Sequence, residues 1–267
     1  MPRSERWYAA TLGALAWGGI AFLVFPVLFT VIVSFNGGIF IEFPPRSFSL
    51  RWYENIATIH RIVPALAVSF GIALAAGTAA TLIAVATALA LVRQPLPFKT
   101  AITAFLVSPV TIPIVAIGIA LIQFFIVIGI EFTWYSLVIG HLVLVIAYPV
   151  RTLVASLTLS NPALEEAASS LGATPWRAFL TITLPQMKPG LISGFLFAFL
   201  ISFDNYPISI FLLRGNLTTL PVELFNHISQ NLDPTPAAFS TLYMALVAIL
   251  IIFAERRYRI MSLSLSH

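Results

Sequence analysis

Asp204 is the sole acidic side chain inside any long apolar stretch of this 267-residue chain. A carboxylate surrounded by hydrocarbon is costly to keep, and it marks a functional position by default. It stands in Phe203-Asp204-Asn205-Tyr206-Pro207, where the proline removes a helix hydrogen bond and predicts a kink. Two readings stay open. In one, Asp204, Asn205 and Tyr206 face a polar path through apolar surroundings; in the other, Asp204 accepts the backbone donors freed by Pro207 or pairs with a neighbouring subunit. Other reactive constellations are missing. The four histidines, His60, His141, His227 and His267, have no i, i+4 partners, and cysteine is absent, so the spacing of a metal site is not present. Gly190-Leu-Ile-Ser193-Gly194 has the wrong spacing for a nucleophile elbow. The only lysines, Lys99 and Lys188, follow Phe98 and Met187, so no phosphate-cradling Gly-x4-Gly-Lys-Ser/Thr loop exists.

The elements that must position Asp204 are membrane helices. Hydrophobic residues make up 59% of the chain and charged ones 9%, against about 25% charged in a soluble domain. Six stretches are long and apolar enough, or nearly so, to cross about 30 Å of hydrocarbon: 8–34, 64–92, 101–129, 134–153, 191–213 and 237–254. No ten-residue alternation of the outer-membrane barrel kind appears. The first stretch is longer than a signal-peptide core and lacks a small-residue cleavage pattern, so it is expected to be retained. The net charge of +4 is scattered between apolar blocks, which argues against nucleic acid as a partner. Ten of the fourteen basic residues (Arg3, Arg6, Arg93, Lys99, Arg151, Arg177, Lys188, Arg256, Arg257, Arg259) fall on the side of the termini. Arg46, Arg51, Arg61 and Arg214 fall opposite, which predicts cytoplasmic termini. Trp7, Tyr8, Trp134, Tyr135 and Tyr258 lie at span ends, where interface aromatics belong.

Between spans the chain is unequal. In the first external segment, Ser49 is placed to cap a short helix with Leu50, Tyr53 and Ile56 on one side, either an amphipathic piece at the membrane surface or an ordinary ordered loop. The cytoplasmic segment 160–189 is the least apolar long stretch. Asn161-Pro162 is a helix start, and Leu164, Ala167, Ala168 and Leu171 recur on one face with Glu165, Glu166, Ser169 and Ser170 on the rest. Gly172 sits where a left-handed residue closes a helix. Thr174-Pro175 starts a second short helix carrying Trp176, Phe179 and Leu180, expected to end at Leu184-Pro185 and Pro189-Gly190. Two short helices lying across the spans form a docking platform. Gly190 and Gly194 are spaced for close helix packing, and Ser108-Pro109 with Pro113 predicts a bend in the third span.

The run Glu166-Ala-Ala-x3-Gly172-x9-Ile182-x-Leu184-Pro185 places seven fixed residues in twenty positions. It resembles the cytoplasmic signature of permease subunits of bacterial ABC importers of the type I, methionine-uptake-permease-like group. Phe48-Ser-Leu-Arg-Trp-Tyr53, Ser202-Phe-Asp204, Thr218-Thr-Leu-Pro-Val222 and the stretch from Asp233 to Thr241 are similar to the spermidine/putrescine permeases. Permeases for ferric iron, thiamine, phosphonates, opines and other amines share parts of these.

The resemblance implies an all-α membrane protein of six transmembrane helices with a cytoplasmic coupling-helix loop, in the bacterial inner membrane. Residues 1–63 form the first span and external segment, 64–260 the core with its coupling segment 160–189, and 261–267 a tail. It implies that Glu165, Glu166, Ala167, Ala168, Gly172, Ile182, Leu184 and Pro185 meet a separate ATPase subunit, which carries ATP and Mg while this chain binds no cofactor. Two ATPase subunits, a second, related permease and a periplasmic solute-binding protein are the implied partners, with Asp204, Asn205 and Tyr206 as candidate pathway residues for a polyamine or related amine. An intramembrane enzyme would need a Ser/His pair, clustered aspartates or metal ligands at membrane depth. An ion-coupled transporter would show internal repeats and paired midplane charges.

Overall fold

The structure, a computed structural model, describes residues 3–258. Arg259, the tail 261–267 and His267 lie outside them, as do the side chains of Arg3, Arg6, Trp7, Tyr8, Arg257 and Tyr258. The described residues are helical, with one isolated bridge between Asn36 and Phe48. Those up to Ile62, with Leu224–Leu250, form one compact unit; Val63–Glu223 and the stretch from Ile251 form the other.

In the first unit, α1 (Arg3–Ser34) supplies an apolar span over Thr11–Ser34. At 1.5 Å per residue those 24 residues reach about 36 Å, enough for the bilayer core. The short helix α2 (Arg51–Ile56) follows, and the Ser49 hydroxyl accepts the Arg51 N–H at 3.1 Å. Tyr53 of the predicted face is half-buried, its hydroxyl 2.6 Å from Ser34 Oγ. Trp52 is the buried residue, its indole N–H donating to the Asn36 carbonyl at 2.5 Å, while Leu50 is exposed. A backbone carbonyl within reach of the indole decides which side of α2 turns inward.

In the second unit, α3 (Ile62–Arg93) is one unbroken span. Next come α4 (Lys99–Val107), a 3-10 turn at Ser108–Val110, and α5 (Ile114–Ile128). The predicted third span is thereby bent by 101° at its prolines. The predicted fourth span is α6 (Trp134–Val145) and α7 (Ala147–Thr158), bent by 44°. Pro149 offers no N–H to the carbonyl of Val145, so the bend falls one turn before it.

Two short helices, α8 (Pro162–Ser170) and α9 (Pro175–Ala178), then lead through a π turn at Phe179–Thr183 and α10 (Leu184–Gln186) into α11 (Lys188–Phe203). Leu184-Pro185 does not end the second short helix as predicted. Pro185 lacks an N–H for the Thr181 carbonyl, and the chain stays helical by widening into the π turn. The turn toward the span, 68°, comes at Met187, whose side chain is buried against Val150, Leu153 and Leu157.

The predicted fifth span, 191–213, is also not one helix, because α11 stops at Phe203 and α12 (Tyr206–Leu212) begins anew. A helix absent from the sequence reading, α13 (Leu220–Gln230), precedes α14 (Thr235–Tyr258), whose apolar part is Thr235–Phe253. Three single helices and three bent pairs thus account for up to six spans by length and composition.

The core of the second unit is built around α11 lying on α7. A Cβ on Gly190 would stand 2.6 Å from Ser156 Cβ, and one on Gly194 would stand 2.8 Å from Pro149 Cα. Glycine is therefore what lets the two backbones touch. Thr152 uses that proximity, donating from its hydroxyl to the Gly190 carbonyl at 3.0 Å.

Candidate coupling segment and broken fifth span

Segment 160–189 is held by local devices. The Asn161 side chain accepts the Ala163 N–H at 3.0 Å, with Pro162 in the first turn, and the Thr174 hydroxyl accepts the Arg177 N–H at 3.3 Å. At the other end of α8, Gly172 has φ +83°. Its N–H donates to Ser169 and that of Ala173 to Ala168, both at 3.0 Å, which is the paired closure of a Schellman motif. The left-handed position read from the sequence at Gly172 is where the backbone needs it.

The two glutamates then part company. Glu165 points inward: Oε1 accepts from Arg93 Nη2 at 2.9 Å and Oε2 from Arg93 Nε at 3.2 Å, with Ser160 Oγ a further 2.6 Å from Nη2. Both side chains of this pair are about four-fifths covered, at 21% and 24% exposure. Glu166 points outward, and its carboxylate has no partner among the described residues. Gln186 ties the far side, accepting the Asn161 N–H at 3.2 Å and donating to the Ile182 carbonyl at 3.2 Å. Ile182 and Leu184 are half-buried, and Pro185 is exposed.

This arrangement inverts the usual surface helix, which hides its apolar stripe and wets its polar one. The polar edge with Glu165 meets Arg93, while Leu164, Ala167 and Leu171 are exposed, Leu171 at 89%. Trp176 stands out at 68%, stacked on Phe179 at 5.5 Å. The apolar face of α8 is thus left uncovered beside the exposed Glu166 carboxylate.

At the break in the fifth span, Asn205 takes the backbone-capping role that one of the two readings gave to Asp204. Its Oδ1 accepts the Ile208 N–H at 2.9 Å, capping α12, and Pro207 falls in the first turn where no donor is needed. The proline therefore starts a helix instead of kinking one. Asp204 is left exposed, with no side-chain partner among the described residues; Asn205 is buried and Tyr206 half-buried.

One residue that sequence spacing gave no reason to choose holds this break. His141 on α6 is buried, with Nδ1 2.8 Å from Ser202 Oγ on α11 and Nε2 3.2 Å from Ser209 Oγ on α12. Ser209 donates to the Asn205 carbonyl at 2.6 Å, so Nε2 carries the proton and Nδ1 accepts from Ser202. The Ser/His contact an intramembrane hydrolase would need is thus present in form, but both hydroxyls are spent and all three side chains are sealed. It is a staple across the break. Of the other described histidines, His60 is exposed and His227 sits 3.2 Å from Asp233.

Comparisons with known proteins give the family of the chain. The chain is 32% identical over 238 residues to the putrescine transport system permease protein PotI of Escherichia coli (strain K12), covering 86% of this chain and 84% of that one. It is 28% identical over 235 residues to the spermidine/putrescine transport system permease protein PotC of Haemophilus influenzae, covering 88% and 91%. A crystal structure of an amino acid ABC transporter shares the fold, with a TM-score of 0.59 at 14% identity over 79% of this chain and 99% of that one. The model of the binding-protein-dependent transport system inner membrane component matches residues 80–260, a stretch that holds both the coupling segment and the broken span. The chain belongs to that family: it is a multi-pass, inner-membrane permease subunit of an ABC importer and not an enzyme.

Proposed function

We propose that this permease forms half of a translocation pathway for a polyamine or a related small amine. Its named relatives are putrescine and spermidine/putrescine permeases, and that supports the substrate class. Asp204 supports it chemically. It is exposed at the break of a membrane span, without a cation partner among the described residues, and a passing ammonium is a fitting counter-charge. Tyr206 stands beside it, and Asn205 acts by capping α12 so that Asp204 is held at the helix break.

The partners in this reading are two ATPase subunits that carry ATP and Mg, a second, related permease and a periplasmic binding protein. The observation that carries the coupling role is the outward apolar face of α8 with Glu166, set opposite the inward Glu165–Arg93 pair. Ala167, Ala168 and Gly172 shape that face, while Ile182, Leu184 and Pro185 belong to the return into α11. ATP-driven closure of the ATPase pair moves α8, and α8 moves the spans. Both termini are cytoplasmic in this reading, which keeps residues 160–189 on the ATPase side. Functionally, residues 1–63 are the first span with its external segment, 64–260 the core and 261–267 a tail.

The test is ATP-dependent uptake of labelled putrescine into proteoliposomes holding the complete importer. The expected result is accumulation that excess spermidine suppresses and Asp204→Asn reduces. Uptake unaffected by either amine, with another solute accumulated instead, overturns the substrate class.

A further inference from the structure

We propose that the loop after α1, residues 37–48, is a membrane anchor that dips into the leaflet at the C-terminal end of α1. The loop is apolar where a soluble turn would be polar. Ile39, Phe40, Ile41, Phe43 and Phe48 are all more than half exposed. What covers them follows from where the loop goes. Phe43 folds back onto α1, its ring centroid 5.1 Å from that of Phe29, and Phe29 in turn lies 6.2 Å from Phe25. Phe29 is five residues inside the end of the span, about 7.5 Å below Ser34. The loop is therefore drawn down beside the span, continuing an aromatic stripe whose Phe25 is 59% exposed within the apolar helix.

Immersion needs a loop that does not rely on water for its backbone. Asn36, itself buried, takes up part of that demand. Its Nδ2 donates to the Phe40 carbonyl at 2.9 Å and reaches that of Glu42 at 3.5 Å, and its Oδ1 accepts the Gly38 N–H at 2.8 Å. Gly37 and Ser47 close the base of the loop by a backbone bond of 2.8 Å, and Pro44 and Pro45 bring no N–H to satisfy. The loop's two charges are paired with each other, Glu42 with Arg46 at 3.1 Å, and Arg46 is 88% exposed. Apolar insertion of about 5–10 Å is the ordinary depth for such interfacial elements.

The chain has no cysteine, so one introduced thiol reports one place. Phe40→Cys, and separately Ile41→Cys, are labelled with a nitroxide in the assembled importer, its other subunits freed of reactive cysteines. The complex is reconstituted in vesicles of phosphatidylethanolamine and phosphatidylglycerol. Collision with dissolved oxygen is compared with collision with a water-soluble nickel chelate. The proposal expects oxygen collisions to exceed nickel collisions severalfold at both positions. Nickel collisions in excess mean an aqueous loop and overturn it. Both kinds suppressed mean a protein partner on this patch and overturn it equally.

Discussion

Arg93 in the last turn of α3 and Glu165 in the first turn of α8 meet in a two-point ion pair across 72 residues of chain. Each charge also suits its helix end, the cation at a C-terminus and the acid at an N-terminus. The pair fastens α8 to α3, so in the proposed coupling a push on α8 would reach α3 through a charge-assisted fork.

Breaking that fork is expected to uncouple rather than unfold. Arg93→Glu or Glu165→Arg places like charges together, and ATP-driven uptake should fall by about an order of magnitude at a cost of about 1–3 kcal/mol to the local contact. The double exchange Arg93→Glu with Glu165→Arg restores the pair and should recover a large part of uptake. Equal loss in single and double variants would mean the two residues act separately.

Gly172 offers a purely conformational test, because no atom lies within 4 Å of a Cβ built there. Its φ of +83° is tolerated best by glycine and next by asparagine. Gly172→Asn should therefore keep more ATPase capture and uptake than Gly172→Ala, with each losing stability of about 1 kcal/mol or somewhat more. The reverse order would point to side-chain crowding by a partner.

His141→Ala removes the staple and leaves Ser202 buried without its acceptor, a cost of about 1–3 kcal/mol. The melting temperature of the purified importer should drop, and uptake with it, because the Asp204 break loses its support. A variant that melts normally and transports normally would show that Asn205 alone holds the break.

Legibility in the sequence tracked the range of the interaction. Asn161-Pro162, Thr174 and Gly172 act within one turn, and a capping oxygen or a left-handed glycine can be placed from spacing alone. The apolar stretches were equally plain, since lipid demands length and composition. Adjacent polar residues were harder: Asp204 and Asn205 both have a capping oxygen, and only the backbone decides that Asn205 takes Ile208. The Arg93–Glu165 pair and the His141 staple join residues 61 to 72 positions apart, so no window on the sequence holds both ends. The run through Pro185 was missed because a π turn accommodates a proline that a regular helix would reject.

Leu171 isolates the exposed apolar face of α8. The residue is 89% exposed. Capture of the ATPase subunit by purified permease is therefore the measurement to make with Leu171→Asp. This variant is expected to insert and melt like the parent yet lose most of its ATPase, while Leu171→Met retains it. Undiminished capture by Leu171→Asp would contradict the assignment of this face as the coupling surface.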